Sequence, residues 1–212
     1  MYKEISKLHY ITQDLEAVSH VSLAEQACSG GMDWVQLRVK GQAYKEWLSI
    51  AAEVKVVCDK YHAKLIINDN VLIAREIGAD GVHLGKQDMS TEKARMILGN
   101  NFIIGATANT SEDVRTLNKR RIDYIGLGPF RYTATKKNLS PAIGLEEIKE
   151  ISSFSALPVI AIGGIQISDV ESLMQTGVYG VAVASAINGS ANRTKTAQQF
   201  TELLKLKYHA HA

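Results

Sequence analysis

Gly78-Ala-Asp-Gly-Val-His-Leu-Gly85 is a phrase that returns in altered form as Arg121-Ile-Asp-Tyr-Ile-Gly-Leu-Gly128 and again as Gly177-Val-Tyr-Gly-Val-Ala-Val-Ala184. In each copy a small or polar turn ends a stretch with helical spacing and leads into a short apolar run. Such runs have the length and the side chains of buried strands. A helix-to-strand junction that repeats along a chain is typical of alternating α/β architecture.

Eight short apolar runs along the chain, three of them at these junctions, are predicted to be strands. Most are rich in Ile and Val with little strict alternation, as expected for parallel strands that are covered on both faces. The predicted strands are residues 8–12, 34–40, 64–69, 81–85, 102–107, 124–128, 158–164 and 180–187. Helical spacing predicts helices over residues 15–29, 44–61, 70–77, 91–98, 111–119, 145–152, 167–175 and 193–207.

Eight strand-helix units of roughly 25 residues each match a closed (β/α)8 TIM barrel on the small side of its usual size. A doubly wound open sheet is the alternative, but the expected Gly-x-Gly-x-x-Gly after the first strand is missing. The sequence therefore predicts one domain over residues 1–212, with residues 208–212 as a frayed tail.

Composition excludes several classes of partner. The chain is 46% hydrophobic and 22% charged, with a formal charge of +2, and it has no basic run that would suggest nucleic acid or a membrane surface. It also lacks a signal core and an apolar run long enough to span a membrane. Cys28 and Cys58 are expected to be reduced core thiols. We therefore predict a soluble cytoplasmic protein; the oligomeric state stays open, a homo-oligomer included.

The second predicted strand carries cations on one face. Gln36, Arg38 and Lys40 alternate with apolar residues, so their side chains share one side of the strand. In an open antiparallel sheet that side would simply be wet. In a barrel both faces are covered, so inward cations are costly unless an anion meets them. The barrel prediction therefore favours anion binding here.

Carboxylates follow the next two strands. The third strand ends in Asn68-Asp69, and the fourth runs through His83 to Asp88. Loops after neighbouring strands lie at the same end of a barrel, so both carboxylates could reach one Mg²⁺, which typically takes one or two protein carboxylates together with water and substrate phosphate. The alternative is that each aspartate caps the helix after it. His83 is expected to pack or hydrogen-bond within the strand end.

The sixth strand opens into a loop with hydroxyls at Thr133 and Thr135, followed at once by Lys136 and Lys137. Hydroxyl and ammonium donors suit a phosphate or diphosphate, although such residues also occur in ordinary solvated loops.

The last two strands end in Ile162-Gly-Gly164 and Val183-Ala-Ser185. Loops at this place are the usual monophosphate site of such barrels, and Gly-Gly lets backbone N–H groups approach an anion closely. A tight strand-to-helix turn is the alternative for the glycine pair.

Taken in order, these motifs resemble thiamine phosphate synthase. The resemblance runs from the first strand to about Ile187. It includes Gln36-x-Arg38-x-Lys40, Ile67-Asn-Asp69, Ala79-Asp-Gly-Val-His-Leu-Gly85 with Asp88, Ile104-Gly105, Asp123-Tyr-Ile-Gly-Leu-Gly-Pro129, Thr133-x-Thr-Lys136 and Ala161-Ile-Gly-Gly164.

The resemblance implies a Mg²⁺-dependent transferase that joins hydroxymethylpyrimidine diphosphate to hydroxyethylthiazole phosphate, giving thiamine phosphate and diphosphate. In that family the C–O bond is understood to ionise first, and the thiazole nitrogen captures the resulting cation. Diphosphate would lie on Arg38, Lys40, Asn68 and Lys136, and Mg²⁺ on Asp69 and Asp88. Gln36, Thr107, Thr133 and Thr135 would line the substrates, and Gly164, Ala184 and Ser185 would hold the thiazole phosphate. The catalytic residues implied are Lys136, Arg38 and Thr107.

Three positions depart from the family pattern. Thr107 stands where serine is usual, Asn109 where histidine is frequent, and Lys86 where glutamine follows His-Leu-Gly. The first adds a methyl group near the pyrimidine. The last brings a charge beside the predicted metal loop, which puts the metal geometry in question.

Two other functions compete with the synthase reaction. A thiazole tautomerase is an isomerase with much of this pattern, but its working histidine is expected at the Asn109 position and it lacks Thr-x-Thr-Lys. The third reading is a non-catalytic barrel that binds a phosphorylated ligand, against which Asp69, Asp88 and Lys136 together argue.

Overall fold

The computed structural model describes residues 3–132 and 141–208. Within them, parallel strands and helices alternate along the chain. The strands are β1 Leu8–Ile11, β2 Trp34–Leu37, β3 Lys64–Asn68, β4 Gly81–Leu84, β5 Ile103–Ala108, β6 Tyr124–Leu127, β7 Val159–Ile162 and β8 Gly180–Val183. The helices are α1 His20–Ser29, α2 Tyr44–Lys60, α3 Val71–Glu76, α4 Thr91–Leu98, α5 Ser111–Leu117, α6 Leu145–Ser153, α7 Val170–Gln175, α8 Ser185–Asn188 and α9 Arg193–Tyr208.

Each strand pairs in parallel with the next, and β8 pairs with β1, so the sheet closes into a barrel. The prediction of a (β/α)8 barrel is confirmed. Because side chains alternate along a strand, one set fills the interior and the other packs against the helices. The interior contains Trp34, Ile66 and Tyr124, whereas Val35, Leu65 and Ile125, their neighbours in sequence, belong to the layer between strands and helices.

Strand and helix types are as predicted, but several bounds differ. The strand predicted over residues 180–187 ends at Val183, and Ser185–Asn188 is a short helix. The run from Val181 to Ile187 is apolar except for Ser185, and an apolar run this short does not distinguish a strand from a helical turn. The first helix begins at His20 rather than at residue 15, because the side chain of Ser19 accepts a hydrogen bond from the N–H of Ser22 and caps it.

A partly buried ion cluster lies at the N-terminal end of the barrel. The carboxylate of Asp123, just before β6, accepts hydrogen bonds from Lys3 Nζ at 2.9 Å, Arg95 Nη2 at 2.7 Å and the N–H of Ile104 at 2.7 Å. The Arg95 side chain is only 8% exposed. This cluster joins the N-terminal segment, α4, β5 and β6 at the end of the barrel opposite the loops that follow the strands.

Two further predictions bear on the class of protein. None of the helices in residues 3–132 and 141–208 is long and apolar enough to cross a membrane. Cys28 and Cys58 are buried and free of a disulfide, as expected for core thiols. The extent of the domain stays a prediction, and most of the predicted frayed tail lies outside the described residues.

Candidate active site

Three charged side chains meet where β2, β3 and β4 end. Asp69 follows β3 directly, and Asp88 lies four residues after β4. The two carboxyl groups hydrogen-bond each other, and Lys40, three residues beyond β2, makes an ion pair with Asp69. The carboxyl group of Asp88 also accepts a hydrogen bond from the N–H of Gly85 at 2.6 Å. The structure thus brings together Lys40, Asp69 and Asp88, which the sequence predicted to share one site.

Neither aspartate is used as a helix cap. The side chain of Asn70 accepts hydrogen bonds from the N–H groups of Leu72 and Ile73 and so caps α3. The side chain of Ser90 does the same for α4 through the N–H of Lys93. The capping alternative for the two aspartates is therefore wrong, and their carboxyl groups remain available for a ligand.

The two carboxyl groups have opposite pKa shifts. Burial raises the pKa of Asp69, but hydrogen bonds with Asp88 and Lys40 outweigh burial and leave this pKa below its ordinary value. Burial likewise raises the pKa of Asp88, and the hydrogen bond and charge of Asp69 raise it further, to about 6. Two ionised carboxyl groups in contact repel each other, so a divalent cation bound by both would favour their charged forms.

The chemistry of this pair fits Mg²⁺. The described residues contain no group of three or more His, Cys, Asp or Glu side chains arranged as a metal site. Such a group is not needed, because Mg²⁺ commonly binds one or two carboxylates and takes its other ligands from water and substrate phosphate. A carboxyl pair whose mutual repulsion raises one pKa is a place where a divalent cation would be stabilised. The metal itself stays a proposal.

Gln36, Arg38 and Asn68 lie beside this cluster. Gln36 is on β2 and Asn68 is the last residue of β3, and both are buried. Arg38 follows β2, is half-buried, and is held by a hydrogen bond from its N–H to Thr12 Oγ1 at 3.0 Å. All three thus lie in or just beyond β2 and β3, the strands that lead to Lys40 and Asp69, and their binding roles stay predictions.

Thr107, on β5, belongs to a hydrogen-bonded group that the sequence did not reveal. His83 Nε2 lies 3.0 Å from Thr107 Oγ1, and His83 Nδ1 lies 3.0 Å from the hydroxyl oxygen of Tyr124. The expectation that His83 hydrogen-bonds within the strand ends is met. The sequence identified Tyr124 only as a strand residue, and spacing along β6 gives no sign of its contact with His83 across the interior.

Two departures from the family pattern find structural partners away from the carboxyl pair. Lys86 makes an ion pair with Asp113 at 2.5 Å, in the first turn of α5. The side-chain amide of Asn109 donates a hydrogen bond to the carbonyl of Gly128. The concern that Lys86 would disturb the metal loop is not supported, because its ammonium group is turned toward the loop after β5.

The loops after β6 and β7 are joined beneath the predicted phosphate site. Arg131 donates two hydrogen bonds of 2.7 Å to the buried carboxylate of Asp169. Gly164 has φ 64°, and a Cβ atom there would lie 3.1 Å from Arg131 Cβ. The tight-turn interpretation of the glycine pair therefore describes part of its role.

Ala184 and Ser185 stand next to Gly164 because β7 and β8 are neighbours, with Ala184 immediately before α8. Their phosphate-binding role stays a prediction. Thr133, Thr135 and Lys136 lie outside the described residues, and so do the roles predicted for them.

Comparison with known proteins gives matches over most of the chain. The model of a family described as thiamine monophosphate synthase matches residues 8–187. A thiamine-phosphate synthase of Flavobacterium johnsoniae is 46% identical over 204 residues, which cover 94% of this chain and 96% of that protein. One from Bacteroides fragilis is 45% identical over 185 residues, covering 85% of this chain and 91% of that protein.

Solved structures agree with the sequence comparison. A thiamine phosphate pyrophosphorylase from Pyrococcus furiosus superposes with a TM-score of 0.85 at 32% identity, covering 94% of this chain and 96% of that one. A second pyrophosphorylase, from Bacteroides thetaiotaomicron, has a TM-score of 0.69 at 17% identity and supports the fold alone.

Proposed function

The chain belongs to the thiamine monophosphate synthase family, an assignment that makes it a transferase, and on that premise we propose the reaction that it catalyses. The reaction is the Mg²⁺-dependent condensation of hydroxymethylpyrimidine diphosphate with hydroxyethylthiazole phosphate. Its products are thiamine phosphate and diphosphate.

One observation carries the proposal beyond family membership. Asp69 and Asp88 face each other at the mouth of the barrel, while Asn70 and Ser90 take over the capping of the helices that follow. Asp69 pairs with Lys40, but neither aspartate caps a helix, so local structure does not account for the contact between the two carboxyl groups. That contact raises the pKa of Asp88, and a divalent cation bound by both groups would offset its cost. A carboxyl pair with a perturbed pKa at the mouth of a barrel supports a metal-assisted site.

In the proposed reaction the bond between the pyrimidine methylene carbon and the diphosphate oxygen breaks, and its electron pair leaves with the diphosphate. Lys40, Arg38, Asn68 and Lys136 would meet the charge that develops on that group. When bound by Asp69 and Asp88, Mg²⁺ would neutralise part of the same charge. Stabilising a leaving group in this way needs placed cations and hydrogen-bond donors more than a general base.

The thiazole substrate would be held on the other side of the mouth. Its nitrogen lone pair forms the new bond to the methylene carbon, and no proton has to be removed for that bond to form. Gly164, Ala184 and Ser185, on the adjacent ends of β7 and β8, would bind its phosphate through backbone N–H groups. Gln36 and Thr107 would orient the pyrimidine ring, because both side chains lie within the strands of the barrel.

Incubation with both substrates, with and without Mg²⁺, tests the proposal. We expect thiamine phosphate and diphosphate to appear in equal amounts when Mg²⁺ is present and to disappear after chelation. An isomerase like thiazole tautomerase would convert a thiazole substrate without releasing diphosphate, and a binding barrel would do neither. Product formation that is unchanged by chelation would overturn the role of Mg²⁺. Failure to form thiamine phosphate under any condition would overturn the proposed reaction.

A further inference from the structure

Four side chains from four different strands form one hydrogen-bonded chain across the barrel interior. The chain runs from Gln36 on β2 to Tyr124 on β6, then to His83 on β4 and to Thr107 on β5. The two contacts of His83 are both 3.0 Å long. The two ends of this hydrogen-bonded chain, Gln36 and Thr107, are residues for which we propose contact with the pyrimidine. Its two middle members, Tyr124 and His83, have no role in the proposed reaction.

The donor and acceptor roles of Tyr124 and His83 follow from the partners of Tyr124. The Tyr124 side chain is buried, and burial raises the pKa of its hydroxyl, so the proton stays on the oxygen. The side chain of Gln36 hydrogen-bonds the same hydroxyl, and its amide N–H can donate to the tyrosine oxygen. A buried hydroxyl that accepts from Gln36 still has a hydrogen to donate, and His83 Nδ1 lies within reach. Donation from Tyr124 requires Nδ1 to be the bare nitrogen of the ring.

The donor and acceptor roles at Thr107 then follow from those at His83. If Nδ1 of a neutral imidazole is bare, Nε2 carries the hydrogen and donates it to Thr107 Oγ1. Thr107 then accepts from His83, and its own hydroxyl hydrogen is left to point elsewhere. On β5 the side chain of Thr107 is only partly buried, so that hydrogen is available to an acceptor in the barrel. A pyrimidine ring nitrogen is such an acceptor.

We propose that Tyr124 and His83 are positioning residues, which fix Thr107 as a hydrogen-bond donor toward the pyrimidine substrate. The recognition of that substrate rests on the proposed function; the tautomer of His83 does not. Neither residue has to touch the reacting atoms. Tyr124 selects the Nε2–H tautomer of His83, and that tautomer selects the direction of the Thr107 hydroxyl.

Two glycines make room for this chain. A Cβ atom on Gly105 would lie 2.1 Å from Tyr124 Cζ and 2.5 Å from its hydroxyl oxygen. A Cβ atom on Gly126 would lie 2.9 Å from His83 Cε1. Any other residue at Gly105 would displace the tyrosine ring, since contacts this short do not occur in packed proteins. The interior is therefore shaped around the two rings, which holds their hydrogen-bonding atoms in place.

Nitrogen NMR of protein labelled with ¹⁵N-histidine tests the tautomer directly. Protonated and bare ring nitrogens give well-separated signals, and a His83→Gln variant identifies the signals of His83 by their loss. In the wild-type protein we expect His83 to be protonated at Nε2 and bare at Nδ1. In Tyr124→Phe we expect a mixture of tautomers, because the donor to Nδ1 is gone. Tyr179→Phe, which removes a hydroxyl bound to the Ile5 carbonyl, is the matched control and should leave His83 unchanged.

Kinetics test the consequence. One neutral hydrogen bond contributes about 1 kcal/mol, so we expect Tyr124→Phe to lower kcat/KM for the pyrimidine diphosphate by about fivefold. The KM for the thiazole phosphate should change by less than about twofold, because the proposed contact of Thr107 is with the pyrimidine and not with the thiazole. Thr107→Ser, which keeps the hydroxyl, should retain the wild-type tautomer of His83, whereas Thr107→Val should raise the KM for the pyrimidine diphosphate.

The outcomes separate this inference from the proposed reaction. A wild-type His83 that is protonated at Nδ1, alone or together with Nε2, overturns the inference, and so does a Tyr124→Phe protein with the wild-type tautomer. Equal losses for both substrates would also overturn it, because they would indicate a general structural effect. A wild-type protein that makes no thiamine phosphate overturns only the proposed reaction, and the spectrum then decides the tautomer. The wild-type spectrum needs no variant of Tyr124, so poor folding of Tyr124→Phe does not remove the test.

Discussion

Replacing Asp69 by asparagine is the cleanest way to test the carboxyl pair. Asp69 has φ 66°, in the left-handed region that asparagine adopts more readily than other side-chain-bearing residues. Asparagine also has nearly the same shape, so Asp69→Asn removes one charge and leaves the backbone undisturbed. Alanine at this position would add about 1–2 kcal/mol of backbone strain, which would confuse folding with function.

The effect on folding should be small. The Lys40 side chain is 49% exposed and that of Asp69 is 21% exposed, and an ion pair of this kind contributes about 0–1 kcal/mol. The variant should therefore unfold within about 4 °C of the wild-type protein.

Two pH-dependent effects oppose each other. The lowered pKa of Asp69 gives stability above its ordinary value of 3.8, and asparagine loses this contribution. The raised pKa of Asp88, at about 6, costs stability as pH rises from its ordinary value of 3.8 through that pKa, and asparagine reduces this cost.

The effect on turnover should be large. A unit charge about 4 Å from another in a medium of effective dielectric constant 20 contributes about 4 kcal/mol, and the attraction to a divalent ion is greater. Even if half of this is lost to relaxation and water, Mg²⁺ affinity should fall by at least about 30-fold. Because the same cation would neutralise the leaving diphosphate, we expect kcat at fixed Mg²⁺ to fall by about 100-fold or more.

The assay measures diphosphate release against Mg²⁺ concentration, together with Mg²⁺ titration calorimetry and thermal unfolding. Asp59→Asn is the control, because Asp59 is an exposed partner of Lys55 on α2, away from the barrel mouth. If Asp69→Asn keeps turnover within about threefold of the wild-type value at subsaturating Mg²⁺, the assignment of the carboxyl pair to the metal is refuted.

Three other expectations follow from the described contacts. Asp123→Ala should lower the free energy of unfolding by about 1.5–3 kcal/mol, because the buried guanidinium of Arg95 loses its carboxylate but keeps its backbone carbonyl acceptors; chemical denaturation measures this, and a loss under about 1 kcal/mol would contradict a stabilising role for the ion cluster. The Mg²⁺ concentration for half-maximal activity should rise as pH falls below about 6, because the pKa of Asp88 is about 6 and a proton competes with the metal; a value that is constant from about pH 5 to 8 would exclude Asp88 as a ligand. Lys86→Gln should change kcat/KM by less than about twofold, since Lys86 pairs with Asp113 and not with the carboxyl pair; a loss of ten times or more, read from the same diphosphate assay, would place its charge in the site.

The sequence predicted the barrel because its evidence was distributed over the whole chain. Apolar runs at regular intervals and polar residues after each run are enough to define eight strands and the end at which a site lies. The error over residues 180–187 arose where this evidence was weakest, since a helical turn and a strand of this length have the same composition there. Tertiary packing, with Asn188 buried against the first strand and its loop, decides for the helix.

The site was predictable in part. Asp69 and Asp88 were singled out because they follow neighbouring strands, but the sequence left open whether they cap helices. Asn70, one residue after Asp69, and Ser90, two residues after Asp88, cap the helices instead. The chain through Tyr124 and His83 was not predictable, because it depends on which side chains meet across the interior. Sequence spacing describes neighbours along one strand and contains no such information.

The loop that carries Asp88 is fastened at two points. The N–H of Gly85 binds the Asp88 carboxyl group at its base, and Lys86 reaches Asp113 in the first turn of α5. The conformational entropy of this segment is therefore lost when the protein folds and not when a cation arrives. Preorganisation of this kind raises affinity without adding a ligand atom. Because the ion pair of Lys86 with Asp113 is partly exposed, the hydrogen bond from the Gly85 N–H supplies most of this preorganisation, and an arriving cation would meet the carboxyl group of Asp88 already in place.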